Sequence, residues 1–298
     1  MDKKNKIIII SLLSALLIAL CVLVVEDTEK KAYQGLTEIE EDQNMEVEND
    51  DNSQYIDMSL EKDIEAHFQE NGIDQERVAY CITDLEHNIK YSMNEKDEFI
   101  AASIYKLPLA MLYYDKVNEG EYTLDSTFTY SGYMHEDAGV ISSDYGIGSQ
   151  VPLSDLLNDL IIYSDNDAGH ILYENLGGWK EYKEAMTKYT DSISENYYTM
   201  DNVTTANTMN DVVTYLYDHK EDYKGLIKNM EKAEPGEYLD RDTQLSMPQK
   251  YGMYDYALNS VGFVECNTSY SIVVLTSLGD KGADVMANIN RIAYEHFK

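Results

Sequence analysis

The sequence predicts an α+β domain in which an antiparallel sheet is built from N- and C-terminal segments, flanked by helices, with an all-helical subdomain inserted between. Three observations predict it. Runs rich in β-branched and aromatic residues occur early, over Arg77–Asp84 and Ile89–Met93. Similar runs return only late, over Ser260–Glu265 and Tyr270–Leu278. Between them the pattern is helical, from Leu153 to Leu176 and from Thr208 to His219. Strands at both ends with helices between imply a sheet closed by distant segments of a single domain.

Each element has its local reason. Lys3, Lys4 and Lys6 precede nineteen uncharged residues, Ile7 to Val25. At 1.5 Å per residue that run spans about 28 Å, close to the hydrocarbon thickness of a bilayer. It ends Cys21-Val22-Leu23-Val24-Val25-Glu26 with no small-residue cleavage signal. Residues 1–25 are therefore expected to be an uncleaved single-pass anchor, with the lysines inside the cell and the remainder outside. Secretion after signal cleavage is the alternative. Residues 26–58 are dominated by Glu, Asp, Asn and Gln, too polar to bury a core, and are expected to form an acidic, disordered linker.

The folded domain is expected over 59–298. Ser59 can cap a helix whose Leu60, Ile64 and Phe68 recur every fourth residue before Gly72. Leu85 to Asn88 reads as the turn of the first hairpin. A Leu-, Met- and Tyr-rich helix should run from Ser103 to about Gly120. Thr123 to Gln150 reads mostly as loop, punctuated by Gly132, Gly139, Gly146 and Gly148. At the end, Val285, Ile289, Ile292 and His296 share one helical face that should pack on the sheet.

Composition narrows the function. A net charge of −32 with no Lys/Arg patch argues against nucleic-acid binding. The three cysteines, Cys21, Cys81 and Cys266, and the six histidines show no metal-ligand spacing, so no metal or other cofactor is expected. A Cys81–Cys266 bridge is left open by the sequence. A monomer is expected.

Ala101-Ala102-Ser103-Ile104-Tyr105-Lys106 sets a hydroxyl and an amine three residues apart at a predicted helix start. Positions i and i+3 lie on one helix face, so the amine can reach the hydroxyl. A lysine whose burial lowers its pKa can then act as the serine's base. Ser59-Leu60-Glu61-Lys62 has the same spacing and reads as an ordinary helix cap.

Two further clusters follow in order, Ser164-Asp165-Asn166 and Lys250-Tyr251-Gly252-Met253. Ser-x-x-Lys, Ser-Asp-Asn and Lys-Thr-Gly together mark class A β-lactamases and penicillin-binding proteins. The chain resembles that serine hydrolase family over about residues 59–298. The resemblance implies a β-lactamase-like fold and assigns roles by position. Ser103 would be the nucleophile, Lys106 would take or relay its proton, and Ser164 would pass a proton to the leaving nitrogen. Lys250 would keep the local potential positive, and Asn166 would hold the substrate's side-chain amide. Backbone N–H groups of Ser103 and Met253, beside Gly252, would form the oxyanion hole.

Two departures from the family stand out. Tyr251 replaces the short Thr or Ser whose hydroxyl helps bind a substrate carboxylate. Class A enzymes also carry a glutamate on the loop after the helical domain, which activates the deacylating water. Here that loop, between Trp179 and Thr205, looks shortened, and its best-placed acid is Glu195, ahead of Asp191 and Asp201. The resemblance therefore implies an acyl-enzyme formed with a β-lactam and slow deacylation. The alternatives are a D-alanyl-peptide carboxypeptidase or amidase acting on cell-wall peptides, and a catalytically impaired wall-binding or sensory module.

Overall fold

In the computed structural model the described residues are 59–132, 139–199, 201–243 and 245–298, and they belong to one unit. The expected anchor over 1–25 and the acidic linker over 26–58 lie outside them. Among the described residues no helix is long and apolar enough to cross a membrane.

Helix α1 (Ser59–Asn71) buries Leu60, Ile64 and Phe68 completely, as their four-residue repeat requires. Gly72 ends it at a positive φ of 60°. Strands β1 (Val78–Asp84) and β2 (Ile89–Met93) form the expected hairpin, with Asn88 left-handed in its turn. β3 (Phe99–Ile100) leads into a 3₁₀ turn, Ala102–Tyr105, and α2 (Lys106–Asn118). The stretch expected to be mostly loop holds a short pair, β4 (Thr127–Thr129) with β5 (Gln150–Pro152), and a five-residue helix, α3 (Val140–Asp144).

The helical pattern from Leu153 to Leu176 is two helices, α4 (Leu153–Ile162) and α5 (Asn166–Asn175). The break comes from Ser164, at a φ of 55°, and from the Asp165 carboxylate, which accepts the Ala168 N–H at 2.9 Å and so starts a new helix. The segment after Gly178, expected to be loop, begins with α6 (Trp179–Met186). β6 (Val203–Thr204) pairs with β3, and α7 (Ala206–Asp218) and α8 (Lys224–Met230) follow. β7 (Gln249–Tyr254), β8 (Ala257–Val264), β9 (Tyr270–Thr276) and α9 (Lys281–Phe297) complete the domain.

The main sheet has the order β2-β1-β9-β8-β7, antiparallel throughout. Distant segments close it, as expected, because β1 and β9 pair along their whole length from Val78↔Thr276 to Asp84↔Tyr270. Every residue of β1, β8 and β9 is buried, since both faces of the sheet are covered. Val78, Tyr80 and Ile82 pack with α1 and α9, whereas Ala79 and Cys81 pack into the core shared with the helical part. Helix α7 lies on that second face. Cys81 is buried in β1, Cys266 lies in the β8–β9 connection, and both are free thiols.

Candidate active site

Ser103 sits in the 3₁₀ turn that precedes α2, on a backbone forced through a positive φ of 49° at Ala102. Three distant segments hold that turn. The Asn259 amide, fully buried on β8, donates to Ile100 O at 2.8 Å and Ala101 O at 3.0 Å. Asn202 donates from its side chain to Ala102 O at 2.9 Å and accepts the Ala101 N–H on its own carbonyl at 2.8 Å. From the third side β7 packs directly on the turn, and only glycine fits there. A Cβ on Gly252 would lie 2.6 Å from Ser103 N and 2.8 Å from Ile104 N.

One helical step on, Lys106 is fully buried, yet its amine is surrounded by oxygen. Nζ lies 3.0 Å from Ser103 Oγ, 2.6 Å from Ser164 O, 2.6 Å from Asn166 Oδ1 and 3.4 Å from Ser164 Oγ. The turn between α4 and α5 thus delivers Ser164 and Asn166 to the same amine. It is anchored by Asp165, whose carboxylate bonds Ala168 N and, at 3.1 Å, Ile141 N. Asp165 therefore ties helices together and leaves its two neighbours to face Lys106.

Lys250, on the edge strand β7, donates to Ser164 Oγ at 2.9 Å and to Tyr251 O at 2.8 Å. It is fully buried, and desolvation, with the adjacent Lys106 as a smaller cause, drives its pKa well below the ordinary lysine value. Ser103, Lys106, Ser164, Asn166 and Lys250 thus form one hydrogen-bonded chain. Tyr251 follows Lys250 on β7. Its ring stacks on Tyr238, centroids 4.8 Å apart, and lies 4.2 Å from Lys250 Nζ, while burial pushes the phenol up to about 12.

A cavity of about 870 Å³ opens in front of these groups and is lined by Ser103, Ser164, Asn166, Tyr251 and Met253 among others. Glu195 is not among its lining residues. It is exposed, on a loop whose next residue, Asn196, is tied to Glu98 by two bonds of 2.9 and 2.7 Å. Asp191 is exposed and also outside the lining, whereas Asp201 is part of it. The loop that follows Glu195 is held from below by Lys183. Its buried amine donates to the carbonyls of Tyr197, Thr199 and Asp201 at 2.6, 2.9 and 2.6 Å. Burial lowers the Lys183 pKa, opposed by the Asp201 carboxylate. Among the described residues no cluster of His, Cys, Asp and Glu could hold a metal ion.

Sequence reasoning missed Asn202, Asn259 and Lys183. Asn259 carries a faint signal, an amide beside Ser260 inside a mostly apolar strand. Lys183 carries none, because its partners are backbone carbonyls.

The sequence model of the Beta-lactamase enzyme family matches residues 59–297. The chain belongs to the β-lactamase enzyme family. It is accordingly a serine hydrolase. No curated protein matches it. Among solved structures it is similar to a β-lactamase from Chitinophaga pinensis, with 20% identity, a TM-score of 0.68, and coverage of 80% of this chain and 100% of that one. The TLA-1 extended-spectrum β-lactamase gives 20% identity and a TM-score of 0.67, covering 80% of this chain and 98% of that one. A mutant of PBP-A, solved as its acyl-enzyme complex with penicillin G, gives 17% identity and a TM-score of 0.68 over 80% of this chain and 96% of that one. These likenesses show the β-lactamase fold over the described domain.

Proposed function

We propose that this β-lactamase-family enzyme opens β-lactam amides by forming an acyl-enzyme at Ser103, and that it clears that intermediate slowly. The observation that carries this reading is the environment of the Lys106 amine. A neutral amine keeps two N–H bonds. Ser164 O and Asn166 Oδ1, each 2.6 Å away, can take both, which leaves the lone pair for the Ser103 hydroxyl at 3.0 Å. As Ser103 Oγ bonds to the lactam carbonyl carbon, its proton moves to Lys106. The ring C–N bond then breaks, and the nitrogen takes a proton from Ser164 Oγ, which regains one from Lys106, 3.4 Å away, so that both groups end as they began; Lys250 lies on the other side of that hydroxyl. The N–H groups of Ser103 and Met253 would receive the developing oxyanion, a contribution of roughly 3–4 kcal/mol per preorganised donor.

Deacylation needs a base beside a water. Glu195, the best-placed acid in the sequence, is off the cavity, so water attack would lack its general-base help, worth roughly 10²–10⁴-fold. The same shortage supports a second reading, a peptidase or amidase of the penicillin-binding kind that acts on cell-wall peptides and forms a lasting acyl-enzyme with penicillin; a mutant of PBP-A was solved as its acyl-enzyme complex with penicillin G. Under either reading the apolar run Ile7–Val25 anchors the domain outside the cell membrane, next to wall peptides.

Intact-mass measurement after exposure to penicillin G tests the core of this. A single adduct, absent in Ser103→Ala, is expected. Its persistence for many minutes supports slow deacylation, and steady turnover of a chromogenic β-lactam supports an efficient β-lactamase. Absence of any adduct on folded wild-type protein rules out acylation at Ser103.

A further inference from the structure

The cavity in front of Ser103 is more than the motif residues need. Its back wall is aromatic. Tyr105 and Tyr173 meet Trp179 edge to face, at centroid separations of 5.1 and 5.5 Å, and all three line the cavity. Its mouth is apolar as well. Tyr163, Met253 and Tyr254, exposed by 59%, 62% and 55%, are among the few large hydrophobic side chains of the domain left open to water, and all three line it. Exposed apolar groups gathered at one opening mark a site that buries an apolar ligand.

The formal charge among the lining residues is one-sided, although the Lys183 amine lies 5.2 Å from the Trp179 ring centroid. Among the described residues Asp201 is the only formally charged residue in the lining. The neighbouring Lys183 amine is turned to three carbonyls of the loop beneath, and Lys106 and Lys250 are fully buried against Ser103 and Ser164. An anionic substituent placed here would face Asp201 on a chain of net charge −32, with no cationic side chain among the described lining residues to receive it. A cationic one would gain both the carboxylate and the faces of the surrounding rings.

We propose that this aromatic lobe is the subsite for the substrate's acyl side chain, and that it selects an aromatic side chain bearing a positive charge over one bearing a negative charge. The inference rests on the acylation of Ser103 proposed above and adds the class of acyl group. Tyr105 and Trp179 would receive the ring, and Asp201 would pair with an ammonium on the carbon next to it.

Four penicillins that share one nucleus and differ only in the 6-acyl group test it: acetyl, phenylacetyl, α-aminophenylacetyl and α-carboxyphenylacetyl. All four carry the same nuclear carboxylate, so differences in their second-order acylation rates report the side chain alone. The phenylacetyl compound should acylate at least about tenfold faster than the acetyl one. The α-amino compound should exceed it by about threefold, and the α-carboxy compound should fall below it by a similar factor, as expected for a solvent-exposed charge pair. Asp201→Asn, a surface substitution, should reduce the amino-to-carboxy ratio at least threefold, and Trp179→Ala should erase the preference for phenylacetyl over acetyl. Equal rates across the series, or a ratio that Asp201→Asn leaves in place, overturn the subsite. If none of the four acylates folded enzyme, the Ser103 reading falls and the subsite falls with it.

Discussion

Replacing Gly252 with alanine sets a methyl group against three backbone atoms of the nucleophile turn: 2.6 Å from Ser103 N, 2.8 Å from Ile104 N and 3.1 Å from Ala101 O. None of these is a side-chain end that can swing aside. Ordinary contact begins near 3.4 Å, so β7 and the turn must separate by about 0.8 Å. Asn259 and Asn202 fix the turn from the other sides, which leaves the edge strand to move. That displacement carries Lys250 and Met253 away from Ser164 and Ser103. A misplacement of about 1 Å costs on the order of 10²-fold in rate, and overpacking costs about 1–3 kcal/mol. Gly252→Ala should therefore acylate with a chromogenic β-lactam about 10²-fold more slowly, measured as the rate constant at saturation. Its Tm should fall by about 2–12 °C for a domain of this size. Acylation within threefold of wild type, with Tm unchanged, would refute the close approach of β7 to the turn.

Other perturbations give further expectations. Asp165→Ala removes acceptors from Ala168 N and Ile141 N and should cost about 1–3 kcal/mol of stability in a denaturant melt, with slower acylation because Ser164 and Asn166 flank it. Lys250 is pushed far below its ordinary pKa by burial and by Lys106, so between that lowered value and about pH 10.4 the unfolded chain holds the extra proton. Stability attributable to this group thus rises with pH, and Lys250→Met should gain Tm relative to wild type more at pH 7 than at pH 10. A difference that grows instead as pH rises contradicts the assignment. Because the net charge is −32, acylation by an anionic β-lactam should accelerate between low salt and 0.3 M NaCl, as screening shortens the Debye length from about 10 Å at 0.1 M. A rate that drops with added salt would mean that local attraction to the buried lysines dominates.

The fold was legible in the sequence where the physics is local. The repeat of Leu60, Ile64 and Phe68, the hairpin turn ending at Asn88 and the β-branched and aromatic run of β1 each depend on residues a few positions apart, and each appears where the pattern puts it. The errors fall where a local pattern is overruled. Leu153 to Leu176 reads as helical throughout, because apolar periodicity runs on both sides of Ser164 to Asp167. The left-handed Ser164 and the Asp165 cap break it, and Asp165 is bound to Ile141, on another element. Gln249 to Tyr254 lacks a run of β-branched residues, and it is a strand because pairing with β8 supplies its hydrogen bonds.

The candidate site divides in the same way. The sequence by itself paired Ser103 with Lys106, because they are one helical step apart and need only a local turn to meet. It also named Ser164, Asn166 and Lys250 through their order. That Lys106 meets Ser164 across 58 residues, Lys250 meets Ser164 across 86, and Asn259 holds Ala101 across 158 was decided by the tertiary structure alone. So were the exclusion of Glu195 from the cavity, the Lys183 clamp on the neighbouring loop and the aromatic wall around Trp179. The reason is physical. Periodicity and capping are set by neighbours within about four residues, whereas the electrostatics and shape of a cavity depend on which distant side chains the sheet and helices bring to one place.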